Sequence, residues 1–306
     1  MKYYILLSLL IVVSLAIPSI AATQNQTSGV QPIGSFLLNG SNLIKAPEVS
    51  LITPGFYWTY PYINYPIYSE GQRISGYILG TNQQAGTNVR LCASDFNLSK
   101  FLNGSAEKIA NGNCDTQPIK LNDTGDGIFA LEGQKSGTYM LLGKDELNST
   151  ILSMMPLIIT AQDISVNSSA KMVAGGILKA AIKMRGFDNL TKYYGAILVS
   201  SKDYESIKLD IVSNGSQKNL SSIIAFGNRS MTIQGLPSIS MDLLMKLSTI
   251  LPQNAAIAME KSSKPGVEFS LVSDPGWEHG SYILTCIVYS PGKGILGIRQ
   301  IPVEVD

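Results

Sequence analysis

Two stretches of this 306-residue chain repeat one another, and that repeat limits the folds open to it. Residues 127–160 read GIFALEGQKSGTYMLLGKDELNSTILSMMPLIIT, and residues 266–305 read GVEFSLVSDPGWEHGSYILTCIVYSPGKGILGIRQIPVEV. Both run Phe-x-Leu, a short polar turn, Gly-x-Tyr and an apolar strand. A second polar turn, Ile-Leu and a last strand containing proline follow in each. That is three successive strands, twice, with period-2 patterning that puts Tyr282, Leu284, Cys286 and Val288 on one face. The Gly-x-Tyr pair has two readings. Tyr139 and Tyr282 either form tyrosine corners, where a buried phenol near the start of the strand bonds nearby backbone, or are ordinary strand tyrosines.

Further strands precede each repeat: RISGYILG and TNVRLCASDF before the first, and GGILKAAIKMRG, YYGAILVSS, SIKLDIVS and SIIAFG before the second. All are short, with Gly, Asn and Ser between them, which favours sandwiches over an α/β fold. One helix stands out. Ser240 can cap MDLLMKLSTIL, whose Leu243, Leu244, Leu247 and Leu251 share a face before Pro252 stops it. The expected fold is therefore all-β: two tandem Ig-like, Greek-key β-sandwiches, the second with one inserted helix. The boundaries read from composition are a signal peptide at 1–22, a polar N-terminal segment at 23–52, and sandwiches at 53–161 and 162–306.

The second half also carries YYGAILVSSKDYESIKLDIVSNGS, the helix at 241–251, and the closing HGSYILTCIVY with GILGIRQIPVEV. In these stretches the chain resembles an uncharacterised family of exported domains from methanogenic archaea, well over 163–306 and less well before it. The resemblance implies a cell-surface setting in an archaeon and implies no chemistry.

The two ends and the asparagines bear on export. MKYYILLSLLIVVSLAIPSIAAT places one charge, Lys2, before an apolar run and then small residues around Ala21 and Ala22, the layout of a secretory signal peptide. An uncleaved membrane anchor is the rival reading; Pro18 and the small residues favour cleavage. The closing RQIPVEVD has no hydrophobic tail, which speaks against a C-terminal anchor. Of 18 asparagines, 11 lie in Asn-x-Ser/Thr: Asn25, Asn39, Asn97, Asn103, Asn122, Asn148, Asn167, Asn189, Asn214, Asn219 and Asn228. Chance predicts about three. Some such triplets are simply turn sequences, but the excess points to an N-glycosylated surface, which also accounts for only 15% charged residues. Three cysteines remain. Cys92 and Cys114 are the natural disulfide pair in an oxidising compartment, and Cys286, within SYILTCIVY, reads as a buried thiol.

Without Lys2 the charges balance at 22 basic and 22 acidic residues, with no basic run, so nucleic acid is excluded as a natural partner. No cofactor or metal is expected. GKGILG matches G-x-G-x-x-G but runs into a final strand instead of a helix, so it reads as a hairpin turn. His279, the lone histidine, lies in DPGWEHGSY beside Ser281, and neighbours in sequence seldom have triad geometry. Ser168 and Lys171 form S-x-x-K without the companion motifs of that enzyme class. Asp123 and Asp126 in LNDTGDG could offer oxygens to calcium, but an Asp-Gly turn explains them more simply.

One segment stays unassigned. TPGFYWTYPYINYPIYSEG holds seven aromatic residues, Phe56, Tyr57, Trp58, Tyr60, Tyr62, Tyr65 and Tyr68. Pro61 and Pro66 fit an edge strand at the start of the first sandwich. Polyproline-like geometry would put Phe56, Tyr62, Tyr65 and Tyr68 on one face; strand geometry would group Phe56, Trp58, Tyr60 and Tyr62. One face packs on the core, which leaves aromatic surface for a sister subunit or, alternatively, a sugar. The sequence thus describes a non-catalytic, extracellular surface glycoprotein with a structural, adhesion or assembly role. Its partners are other surface proteins or copies of itself, with a carbohydrate-binding module as the alternative. It meets a membrane only through the signal segment, if that is uncleaved.

Overall fold

The computed structural model describes residues 35–40, 42–53, 56–60, 63–95, 117–147, 151–188, 190–213, 220–234, 249–290 and 293–306. The first half forms β1 (Ser35–Asn39), β2 (Leu43–Ala46), β3 (Glu48–Thr53), β4 (Phe56–Tyr60), β5 (Ile63–Pro66), β6 (Tyr68–Ser69), β7 (Ile74–Leu79), β8 (Asn88–Asp95), β9 (Ile119–Lys120), β10 (Gly127–Leu131), β11 (Gly137–Asp145) and β12 (Ile151–Thr160). The second forms β13 (Ser165–Ser168), β14 (Lys171–Met172), β15 (Ile177–Lys183), β16 (Lys192–Ser200), a short helix α1 (Ser201–Glu205), β17 (Ile207–Ser213), β18 (Leu220–Phe226), β19 (Arg229–Gln234), β20 (Ala255–Ser262), β21 (Gly266–Val272), β22 (Gly280–Ser290) and β23 (Gly294–Val305).

The sequence repeat is a structural repeat. Sheet β1-β7-β10 faces sheet β6-β12-β11-β8-β9 in the first half; β13-β15-β21 faces β14-β23-β22-β16-β20 in the second. Strand for strand the orders correspond, down to the short strand lying parallel to the last one, β6 on β12 and β14 on β23. The protein is all-β, with two tandem Ig-like sandwiches.

The outer strands are half-buried and alternate accordingly. ISGYIL of β7 and ILKAAIK of β15 bury every second residue. KYYGAILVS of β16 and GSYILTCIVYS of β22 are instead buried almost throughout, so their sheet is covered on both faces. Tyr194, Ala196, Leu198, Tyr282, Leu284, Cys286 and Val288 pack toward β13-β15-β21. Tyr193, Val199, Ile283 and Ile287 belong to the other cluster, with Ile207, Leu209, Ile211 and Ile224.

Those last residues come from an insertion between β16 and β20. Its strands β17, β18 and β19 continue into β3 and β4 of the first half, giving a five-stranded sheet in the order β19-β18-β17-β3-β4. β3 runs parallel to β17 from Glu48 opposite Lys208 to Ile52 opposite Val212. Segment 23–52 is therefore more than the polar leader expected of it: from Ser35 onward it supplies three strands, and two of its sheets belong to different parts of the molecule. Likewise β4 is an edge strand, but of this shared sheet and not of the first sandwich. The composition of 23–52 misleads because its strands are short and separated by Gly, Ser and Pro.

Most of the expected helix at 240–251 lies outside the described residues; Thr249 and Ile250 are helical. The described helix α1 was not anticipated. Ser200 caps it, accepting from Asp203 N at 3.0 Å and donating to Asp203 Oδ2 at 2.7 Å. Helix α1 holds Tyr204 in a polar knot with the other half. Tyr204 Oη donates to Lys45 O at 2.7 Å, and Gln300 Nε2 donates to Tyr204 Oη at 2.8 Å and to Lys45 O at 3.3 Å. Gln300 Oε1 in turn accepts from Lys45 N at 2.7 Å. The Gln300 amide thus pairs with residue 45 as a neighbouring strand would.

Magnitudes rank what joins the halves. The Glu48–Lys208 ion pair, 2.8 Å long, is substantially exposed and contributes about 1 kcal/mol at most. Each of the buried Leu209, Ile211 and Ile224 side chains contributes about 1.5–3 kcal/mol by leaving water. Apolar burial dominates and the Gln300 knot sets the register. Replacing Gln300 with Ala removes the acceptor of Lys45 N–H and should cost about 1–3 kcal/mol. Calorimetry should show the melting transition lowered by a few degrees; an unchanged transition would contradict the role given to Gln300.

Candidate functional site

The aromatic segment divides at Tyr62, which lies outside the described residues. For Phe56, Tyr57, Trp58 and Tyr60 the structure describes backbone: Trp58 pairs with Leu51 and Tyr60 with Val49. The chain here is a strand, so the polyproline-like grouping does not occur. Beyond Tyr62, β5 pairs with β2 and β6 with β12, which turns the chain into the first sandwich. Tyr65 and Tyr68 are consequently fully buried in its core. Tyr65 and Tyr68 therefore belong to the core and not, as the ring count suggests, to a ligand or subunit face. Tyr68 Oη donates to Asn39 O at 2.7 Å, and burial pushes its phenol up to about 12.

The sequons go the other way. Asn39, Asn122, Asn167 and Asn228 are all exposed. Asn122 and Asn228 occupy turns, as the bland reading of such triplets predicts. Asn122 Oδ1 accepts from the backbone of Thr124 and Asp126. Asn39 and Asn167 lie at the C-terminal ends of β1 and β13, the corresponding strands of the two sandwiches, where each triplet begins in the strand and runs out of it. Asn25, Asn97, Asn103, Asn148, Asn189, Asn214 and Asn219 lie outside the described residues.

Cys92 is buried and disulfide-bonded; Cys114 lies outside the described residues. Cys286 is free and fully buried between the sheets of the second sandwich, where desolvation pushes its thiol up to about 12. A thiol so placed packs as a small apolar group.

Tyr139 and Tyr282 make equivalent bonds four residues back along the chain. Tyr139 Oη donates to Lys135 O at 2.9 Å and Tyr282 Oη to Glu278 O at 2.8 Å. This is the tyrosine-corner arrangement, present in both repeats. The glycine two residues before each has its own cause. Gly280 sits at φ 137°, which disfavours other residues, and a Cβ on Gly137 would meet the Tyr139 ring at 3.3 Å. Trp277 stacks on Tyr282 with ring centroids 5.2 Å apart. Burial, then the negative charges of Glu278 and Asp203, push the Tyr282 phenol up to about 12.

The other candidate groups are engaged locally. His279 is exposed in its turn, and Ser281 Oγ pairs with Ser201 Oγ at 3.2 Å. Gly294 pairs with Ser290 at the end of the β22–β23 hairpin, so the described part of GKGILG runs from the hairpin into β23 and opens no helix. Lys171 lies 3.5 Å from Asp306, and Asp126 accepts from Gly80 N and from Thr124 Oγ1. One buried cation had no sequence signal. Lys192 is wholly buried, and its Nζ donates to Phe187 O at 2.9 Å and Ser263 O at 3.2 Å, tying two loops to the end of β16. Among the described residues no three His, Cys, Asp or Glu side chains cluster as metal ligands would, and no helix is long and apolar enough to cross a membrane.

No protein-family model matches the chain, and no curated protein does. Among solved structures it is similar to the crystal structure of red sea bream transglutaminase, with a TM-score of 0.28 and 9% identity. The match covers 79% of this chain and 30% of that one. A likeness of that size carries no argument about activity.

Tyr68, Tyr194 and Tyr282 all have phenols raised from 10.0 to about 12, chiefly by burial. The folded state therefore holds protons that the unfolded chain releases, and their contribution is full below pH 10 and lost as pH rises toward 12. Replacing Tyr282 with Phe should cost about 1 kcal/mol at neutral pH through the lost corner bond. It should also flatten the alkaline fall in stability, as measured by denaturant midpoints across that pH range. An alkaline profile parallel to the parent's would contradict this.

Proposed function

We propose that the chain is a non-catalytic, exported cell-surface glycoprotein whose two Ig-like sandwiches serve as one structural or adhesive unit. The observation that carries this reading is the exposure of all four described sequon asparagines, two of them at the ends of outer strands. The repeat, the balanced charge and the apolar N-terminal segment support it. So does the resemblance to exported archaeal domains.

The fate of the candidate catalytic groups favours a non-enzymatic role. Lys171 and Asp126 lie apart from His279 and Ser281, which flank Gly280 at the start of β22, and each of the four is exposed or held by its own neighbours. General acid–base or nucleophilic chemistry needs such groups within hydrogen-bond reach of one another. Within this reading Cys92 pairs with Cys114 and the partners are other surface proteins or further copies of the chain. A carbohydrate-binding role is weakened, because Tyr65 and Tyr68 are committed to the core.

Peptide mass spectrometry of the full chain, expressed in an exporting archaeal host, tests the proposal. The mature protein should begin after Ala22, carry glycan on sequon peptides and yield a Cys92–Cys114 peptide without reduction. An unmodified chain that retains Met1 and stays in the cytoplasm would overturn it.

A further inference from the structure

The two sandwiches share a fold but differ on one corresponding face. On the outer face of β13-β15-β21, Lys179, Lys183 and Glu268 are exposed, and Lys179 lies 3.7 Å from Glu268. Ile177 and Val272 form one exposed apolar cross-strand pair at its end, so this face mixes charged with apolar groups and carries no aromatic ring. The outer face of β1-β7-β10 instead exposes Leu37 (54%), Tyr77 (40%), Leu79 (42%) and Ile128 (73%). Asn39, Ser75 and Ala130 fill its remaining described positions, and none of the seven is charged. Leu37, Tyr77 and Ile128 are direct cross-strand partners, so the apolar groups form one row across all three strands. A contiguous uncharged apolar row of this kind marks something that covers it.

The face carries its own candidate cover. Asn39 lies two residues from Leu37 on β1 and so shares its face, and it pairs with Ser75, which makes Tyr77 its diagonal neighbour at about 7–8 Å. Its main chain is fixed by the bond from Tyr68, while its side chain is exposed. We infer that the N-linked glycan of Asn39 lies down on this face, with a sugar ring packed against Tyr77 and flanked by Leu37 and Ile128. The inference rests on the glycoprotein reading.

The chemistry is that of a saccharide tethered beside an aromatic ring. In the modification, the Asn39 amide nitrogen takes the anomeric carbon of a lipid-pyrophosphate-linked sugar. The C1–O bond to pyrophosphate breaks with its electron pair, and one amide proton is lost to solvent. The host transferase supplies the catalysis. Once attached, a pyranose turns its C–H face to Tyr77 and its hydroxyls to water, which removes apolar area from solvent and keeps the outer surface polar. A second copy of the chain fits less well, because a substituent on Asn39 would stand between two such faces. In the second sandwich the sequon asparagine of the corresponding strand, Asn167, stands at the register position of Leu37; it pairs with Ala181 and has Lys179 and Lys183 as diagonal neighbours. A glycan there has no ring to lie on, which makes it the internal control.

The test uses the secreted full-length glycoprotein with Asn39→Gln, Asn167→Gln and the double variant Asn39→Gln/Tyr77→Thr, each checked for native folding by near-ultraviolet circular dichroism. The probes are fluorescence of an anilinonaphthalene sulfonate dye and sedimentation velocity. Asn39→Gln should raise dye fluorescence several-fold and produce concentration-dependent self-association. Asn167→Gln should change neither, and the double variant should lose most of the gain. Peptide mass spectrometry keeps the outcomes apart. An Asn39 that carries glycan, with an Asn39→Gln variant that binds no more dye, overturns the inference. So does an Asn39 without glycan while other sequons carry it. Absence of glycan from every sequon overturns the glycoprotein reading itself.

Discussion

The pairing of β3 with β17 is the constraint on which the rest of the molecule depends. Two sandwiches of this kind, each with its own sheets, are often independent modules joined by a linker. Here a segment from the first half leaves after β1, crosses to the second and lies parallel to β17, then returns through β5 and β6. Parallel pairing between strands roughly 160 residues apart carries a loop-closure cost, which grows only slowly with length, and the buried face of Leu209, Ile211 and Ile224 offsets it. The pairing also explains why β16 and β22 are buried on both faces. Their sheet is the middle of three layers, between β13-β15-β21 and the shared sheet.

What the sequence made legible was local and periodic. The repeat around Phe-x-Leu and Gly-x-Tyr corresponds to the same three strands in each half, and Tyr139 and Tyr282 make the same bond. The face shared by Tyr282, Leu284, Cys286 and Val288 could be read from alternation alone. Less of the non-local structure was visible. Nothing in EVSLIT announces that its neighbour is IKLDIVS. One signal could have been used: YYGAILVS is apolar without alternation, the mark of a strand covered on both faces, and so it implied a third layer.

The aromatic segment teaches the same lesson at the level of function. Counting rings gave one face too many, because the count treated the segment as a single element. It belongs to two. Phe56–Tyr60 is an edge strand of the shared sheet, whereas Tyr65 and Tyr68 fill the core of the first sandwich. The apolar surface left over lies elsewhere, on the row of Leu37, Tyr77 and Ile128. Those residues sit in three short strands far apart along the chain, and only their cross-strand register brings them together. Exposure of sequons was legible because the triplet names the chemistry directly; their position in β1 and β13 was not.

Hydrogen exchange of the intact chain, followed by mass spectrometry, tests the shared sheet most directly. If β3 and β17 form one sheet over the middle layer, peptides covering 48–53 and 207–213 will be protected on the same timescale as those from β16 and β22, and will lose protection together with them in denaturant. Rapid exchange of 48–53 while β16 and β22 stay protected would contradict the account, and would leave two sandwiches joined by a tether.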